Sequence, residues 1–387
     1  VNVNTIEPST GTDITLGASG DTITVPSGAT ITNSGTATGF GITAANFLPN
    51  AQPLIINGNM AVAQRATSKA SIGNEYGTCD RWYAYTQVGA FTQSQDTDVP
   101  SGYGFANSLK MDCTTSASPT SGQRNYIQQR FEGQNLQLLK KGTANAEIIT
   151  LSFWVKSVKT GTYIIEVQDV DNSRQISKSY TISSASTWEK KTISFAGDTT
   201  GALGDDNGRS FDIAWYLSAG SDYTSGTLST SWSSVTNANR AVGQVNLADS
   251  TSNNWWLTAV QMEVGEYTSA TIPPFQHESF GDNLFRCQRY YQLVQNWNGG
   301  VVNASTAYIN AQFWCTMRTT PSVTTTGALN GNDISDNRNQ SSGQVTLHGA
   351  NENGFWGGVG NWSSLTTNNP FNSRFQNTNK LAFDSEL

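Results

Sequence analysis

The chain has 387 residues, of which only 13% are charged, and a net charge of −7. No basic cluster stands out beyond Lys140-Lys141 and Lys190-Lys191, which excludes the footprint that nucleic acid requires. No apolar run approaches the roughly 20 residues that span a bilayer, so no membrane insertion is expected.

A mean hydropathy of −0.40 with so few charges means that Ser, Thr, Asn and Gln supply the polarity. Thr and Ser suit strands and turns, and scarce Lys and Glu deprive helices of their usual surface residues. With 36 Gly, the expectation is an all-β fold, long enough for two or three domains. Eleven Trp and 13 Tyr are many for so polar a chain. Rings beside neutral amides and hydroxyls suit sugar surfaces, while sandwich cores also consume such rings.

The opening VNVNTIEPST is polar and lacks a signal-peptide pattern. It leads into ITLGASGD, TITVPSGA and TITNSG, three β-runs closed by Ser-Gly turns about eight residues apart. Their apolar residues, Ile14, Leu16, Ile23, Val25 and Ile31, number about two per unit, too few to bury a core alone. Such a strip becomes stable against copies of itself. An intertwined shaft is expected, most simply in a homotrimer, with Phe40, Ile42, Phe47 and Leu48 closing its end. Residues 1–53 form this unit.

Residues 54–275 alternate strand-like runs with turns: Ile148 to Ser157, Gly161 to Val170, Ser177 to Ile182, Trp188 to Gly197, Phe211 to Gly220 and Asn254 to Val264. Tyr163, Ile165 and Val167 share one face, as do Phe211, Ile213 and Trp215, and this period of two predicts an antiparallel β-sandwich. Residues 276–298 hold a linking helix from about Ser279 to Gln292. Ser279 is its N-cap, and Phe280, Leu284, Cys287 and Tyr291 are its inward face. Gly299-Gly300 reads as a linker. Residues 299–387 then form a smaller β-domain, with strand signals at Ala307 to Met317, Pro321 to Gly327 and Gln344 to Gly349, and loops rich in Asn and Gly from Asn351 to Asn379.

Chemistry-bearing motifs are sparse. His277 and His348 are the two histidines, with no G-x-S-x-G, H-E-x-x-H or P-loop present. The carboxylate pairs Asp96/Asp98, Asp169/Asp171 and Asp205/Asp206 sit in turn-like contexts, where Asp bonds its own backbone. No catalytic residue, cofactor or metal is assigned. Cys79, Cys113, Cys287 and Cys315 lack metal or redox spacing, and free thiols are expected. Asp80-Arg81-Trp82 reads as architecture, and Arg286 and Arg289 as partners of carboxylates across a trimer axis. Gly-flanked Trp in loops is harder to explain as core. Trp297, Trp356 and Trp362, with Asn361 and Arg374 nearby, are therefore the candidate ligand contacts at the tip of the scaffold.

Three segments carry a family resemblance. They are the opening through Gly41, LIINGNMAVAQRATS with YGTCDRWYAY (Leu54 to Tyr85), and WLTAVQMEVGEYTSATIPPFQHESFGDNLFRCQRYYQ (Trp256 to Gln292). Together they resemble bacteriophage tail-fibre and receptor-binding proteins of the marine-phage type. The resemblance implies a trimeric fibre subunit whose middle domain is a jelly roll similar to carbohydrate-binding modules. Those modules often open on N-G-x-F-E and close on an acidic strand that together hold calcium. Here Asn57-Gly58-Asn59-Met60-Ala61 and Ala259-Val260-Gln261 lack the acids, so the calcium is not carried over. The implied function is a virion tail-fibre subunit that attaches to host cell-surface glycan by multivalent, non-catalytic binding. Its N-terminus would dock on other tail or adaptor proteins. It would assemble in the host cytoplasm and act at the host surface. The alternatives are a structural fibre or adaptor without receptor contact, and a glycan depolymerase or esterase tailspike.

Overall fold

In the computed structural model, residues 53–333, 337–339, 345–373 and 380–387 are described. The shaft residues Ile14, Leu16, Ile23, Val25 and Ile31, and Arg374, lie outside them. The described residues are nearly all β and pack as one unit.

The alternating runs of the first half form two facing antiparallel sheets. One orders the strands Ser68–Lys69, Ala90–Asp96, Ser108–Thr115, Asn254–Val264, Ile149–Ser157 and Glu189–Phe195. The other orders Ser233–Ser234, Arg174–Ile182, Gly161–Asp169, Arg209–Ala219, Arg124–Glu132, Tyr83–Thr86 and Glu75–Tyr76. The chain passes repeatedly between the sheets, the wrapping of a jelly roll. Tyr163, Ile165 and Val167 and the Phe211, Ile213, Trp215 set all turn into the shared core, as the period of two requires. They meet Phe91, Met111, Phe153 and Trp255 from the opposite sheet.

The two resemblance motifs at the start of this domain are architectural. Asn57 is fully buried; its amide donates to the carbonyls of Val62 and Asp80, both at 2.9 Å, and accepts from the Val62 N–H. Trp82 donates its indole N–H to the Asn57 carbonyl at 3.0 Å. A Cβ at Gly58 would lie 2.1 Å from the Val260 carbonyl oxygen, so glycine is required there. Asp80 accepts from the Gln64 backbone N–H at 2.9 Å.

The linking helix is shorter than expected and turned. It spans Phe280–Gln288, capped by Ser279, whose hydroxyl accepts from the Asp282 N–H at 3.1 Å. Asn283 and Cys287 face inward, whereas Phe280 is 60% exposed and Leu284 is half-buried. The buried side is set by polar contacts: the Asn283 amide reaches Asn59 at 3.1 Å and Asn57 at 3.3 Å. Tyr291 is not helical; it opens the strand Tyr291–Val294, which pairs with Leu381–Asp384. Arg286 and Arg289 have carboxylate partners within the chain, Glu278 at 2.6 Å and Glu132 at 2.7 Å.

The C-terminal part is a second, smaller sandwich. A three-stranded sheet, Tyr291–Val294, Leu381–Asp384 and Ser322–Thr325, packs on a seven-stranded one. The latter orders Asn337–Asn339, Asn330–Asn332, Pro370–Ser373, Asn298–Asn303, Thr306–Gln312, Gly354–Val359 and Val345–Asn351. Gly299-Gly300 is therefore no linker but part of a central strand. A Cβ at Gly299 would sit 1.8 Å from the Tyr308 carbonyl oxygen. Ion pairs join the two sandwiches: Arg81 with Glu386, Arg65 with Asp384, and Glu132 with Arg289. The four cysteines are free.

Candidate glycan-facing surface

The seven-stranded C-terminal sheet buries one face and leaves the other open. In Thr306–Gln312, Ala307, Ile309 and Ala311 are buried while Tyr308, Asn310 and Gln312 are exposed. Directly opposed residues of antiparallel strands share a face. Asn372 stands opposite Asn298, Asn298 opposite Asn310, and Asn310 opposite Trp356. Four adjacent strands thus present one exposed row, Asn372, Asn298, Asn310, Trp356. At the usual strand spacing the row is about 14 Å long. The side-chain amides of Asn298, Asn310 and Asn372 bond no other described residue. Each therefore keeps two donors and an acceptor open to solvent.

A groove of about 810 Å³ runs along the three asparagines of this row, lined by Asn296, Asn298, Asn310, Gln312, Trp314, Asn372 and Ser373, with Trp297 and Ala311 in its wall; Trp356 stands beside Asn310 on the next strand, outside the described lining. Trp314 is 59% exposed and Trp356 49% exposed. Trp356 stacks on His348 with ring centroids 5.0 Å apart, and His348 meets Tyr308 at 4.7 Å. Two glycines let these rings lie on the sheet. A Cβ at Gly349 would be 2.6 Å from the Trp356 Nε1, and one at Gly358 would be 3.0 Å from the His348 Nε2. Flat aromatic faces beside unpaired neutral amides can stack on sugar rings and pair with their hydroxyls.

Of the ligand contacts expected from sequence that lie among the described residues, Trp356 is the one exposed on this face, and Trp297 meets the groove only as part of its wall. Trp356 stands on the strand Gly354–Val359, not on a loop. Trp297 and Trp362 are 3% and 4% exposed and pack on Phe371, at 5.4 and 4.8 Å between ring centroids. They are core because the glycines around them mark close strand contacts rather than loops. Asn361 is half-buried, with a left-handed backbone at φ of 63°. Tyr308, His348, Trp314 and the asparagine row were not among the ligand contacts expected from sequence. The alternation of AYINAQ carried a signal for Tyr308 and Asn310; the register that aligns the row did not show.

The jelly roll offers no comparable opening on its tyrosine-rich face. Tyr85, Tyr126 and Tyr216 lie on the outer side of the seven-stranded sheet, and residues 220–247 cover them with Tyr223, Leu228 and Ala241. Beneath this cover Arg240 pairs with Glu166 at 2.7 Å, and the Tyr216 hydroxyl donates to Glu166 at 3.0 Å. On the opposite sheet Trp188 donates to Asp98 at 3.0 Å, Lys156 pairs with Asp98, and its ammonium lies 4.2 Å from the Trp256 ring centroid. His277 packs against Phe105 and Phe275, both at 5.0 Å.

Members of the carboxylate pairs have structural partners. Asp206 accepts from the Gly208 N–H at 2.7 Å, as turn residues do, whereas Asp171 accepts from the distant Gly204 N–H at 2.9 Å. Asp169 bonds its own turn, accepting from the Asn172 N–H at 3.0 Å, and is in addition fully buried, where it holds the Lys141 ammonium. Among the described residues no three His, Cys, Asp or Glu gather into a metal-sized cluster.

No protein-family model matches the chain, and no curated protein matches it in sequence. Among solved structures, it is similar to the enzymatically active domain of bacteriophage CBA120 tailspike protein 4, at 16% identity and a TM-score of 0.28, over 50% of this chain and 21% of that one. The chain thus spans about a fifth of that tailspike domain. It is also similar to a family 11 carbohydrate-binding module of a Clostridium thermocellum cellulosomal cellulase, at 14% identity and a TM-score of 0.25, over 52% of this chain and 98% of the module. A third likeness is to TmCBM61 in complex with β-1,4-galactotriose, at 9% identity and a TM-score of 0.27, over 55% and 99%. At these identities and TM-scores the likenesses carry nothing about function.

Proposed function

We propose that this chain is a virion tail-fibre subunit that binds host cell-surface glycan without catalysis, through the open face of its C-terminal sheet. The observation that carries this is the row of unpaired exposed amides ending on Trp356. Amides left open to water in a row beside a flat indole are poor core and good sugar-binding material. One further point supports this face as the binding surface. The jelly roll's tyrosine face is filled by the chain's own residues.

The fibre assignment rests on the N-terminal β-repeat and the sequence resemblance. The repeat suits a homotrimeric shaft that docks on tail or adaptor proteins. A trimer carries three copies of the surface, and several trimers on one particle convert weak single contacts into durable attachment by effective concentration.

The test is adsorption of the intact protein to host cells, compared with Trp356→Ala, together with an assay for soluble oligosaccharide. Wild-type adsorption, loss in the variant and no released sugar are expected. Unchanged adsorption of Trp356→Ala contradicts the assigned surface, and released oligosaccharide contradicts the non-catalytic reading.

A further inference from the structure

The row has a length and a periodicity, and both bear on the ligand. Its members come from four adjacent strands, one residue per strand, so an amide recurs on three successive strands at intervals of about 4.8 Å and an indole follows on the fourth. Asn332 stands opposite Asn372 and continues the line onto a fifth strand. From Asn372 to Trp356 the row covers about 14 Å, well beyond one sugar ring. Each of the three free amides offers donor and acceptor together, the complement of a hydroxyl that both gives and takes a hydrogen bond. The described groove lining is uncharged, so the groups it suits are hydroxyls rather than carboxylates or phosphates. Trp356 sits at one end of the row and its ring is propped in place by His348, which favours stacking of one ring while the amides meet its neighbours.

Resting on the glycan-binding reading, we infer that the ligand is a neutral linear glycan of at least three sugar rings, lying across the strands along Asn372, Asn298, Asn310 and Trp356. It is not a single terminal sugar held in a pocket. Trp356 stacks on one ring, Asn310 and Asn298 bond the hydroxyls of the next, and Asn372 reaches a third.

Calorimetric titration of the intact protein with neutral gluco-, galacto- and manno-oligosaccharides, each in lengths from one to six sugars, tests this. In at least one series affinity should rise by about tenfold or more from one sugar to three or four and then level off. Asn298→Ala and Asn310→Ala should each weaken the trisaccharide several-fold and flatten the length dependence, with unchanged melting. A monosaccharide bound as tightly as the hexasaccharide overturns the inference, as does a length dependence that survives both asparagine substitutions. If no neutral series binds while adsorption to host cells still depends on Trp356, the linear neutral ligand is wrong and the glycan reading stands. If the wild-type chain neither adsorbs to cells nor binds any oligosaccharide, both are wrong.

Discussion

Arg81 and Glu386 lie 305 positions apart in the chain and form an ion pair that joins the two sandwiches. Both side chains are buried, at 1% and 5% exposure. The Arg81 guanidinium also donates to the Arg130 carbonyl at 2.7 Å and lies 3.4 Å from the Tyr290 ring centroid. The pair fixes the C-terminal sandwich, and hence the asparagine row, on the jelly roll. Removing one partner leaves an uncompensated buried charge. Glu386→Ala should therefore lower unfolding stability by about 3–5 kcal/mol, measured by denaturant titration. A loss under about 0.5 kcal/mol would show that the clasp is not what holds the two sandwiches together.

Asp80 gives the fold a pH dependence of unusual sign. Burial raises its carboxyl to about 6, against the pull of hydrogen bonds from Gln64 and of the nearby Arg65. An unfolded Asp titrates near about 4, so the folded chain holds this proton more tightly. Its stabilising contribution is complete below about pH 4 and is lost as pH rises through about 6. Glu132 and Asp198 act oppositely. Burial works against their charge, but hydrogen bonds from Arg289 and Tyr290, and from Arg174 and Lys141, hold both below the ordinary carboxylate range. Their stabilisation is lost as the pH falls through those depressed values. The melting temperature should thus rise as pH is lowered from 7.5 to 5. Asp80→Asn should flatten that slope, which thermal scans across the range will show.

The tryptophans separate into two classes that a stability and binding pair of assays can tell apart. Trp297→Ala and Trp362→Ala empty the small core around Phe371 and should each cost about 3–5 kcal/mol. Trp356→Ala and Trp314→Ala remove exposed rings and should change stability by no more than about 0.5 kcal/mol while weakening glycan binding. Equal destabilisation by all four would show that the surface rings are structural.

Much of this fold was legible. Runs of alternating residues located six strands of the jelly roll, from Ile149–Ser157 to Asn254–Val264, to within a few positions, while Ala90–Asp96, Ser108–Thr115 and Arg124–Glu132, which also face the core, were not named. The helix cap at Ser279 was equally plain, yet the buried face was not: Asn283 turns inward to bond Asn57 and Asn59, and apolar spacing cannot register a polar contact. Glycine misled in the second sandwich. At Gly299 and Gly357 it marks strands packed too closely for a side chain rather than loops, so Trp297 and Trp362 looked free when they were core. The asparagine row depends on the register of strands from Asn298 to Ser373, which pairing decides and local sequence does not.

Gly349 tests whether Trp356 must lie where it does. A Cβ there would stand 2.6 Å from the indole Nε1 and push the ring off His348. Gly349→Ala should shift tryptophan fluorescence and weaken glycan binding several-fold with little change in melting. Unaltered binding would mean that the stacked position of Trp356 is not needed.

The central claim is that host glycan is held on the open face of the C-terminal sheet. Hydrogen exchange of the intact protein with and without host surface polysaccharide tests it most directly. Added protection confined to Asn298–Asn303, Thr306–Gln312, Gly354–Val359 and Pro370–Ser373 is the predicted result. Protection on the jelly-roll strands instead, or none anywhere at saturating polysaccharide, would contradict it.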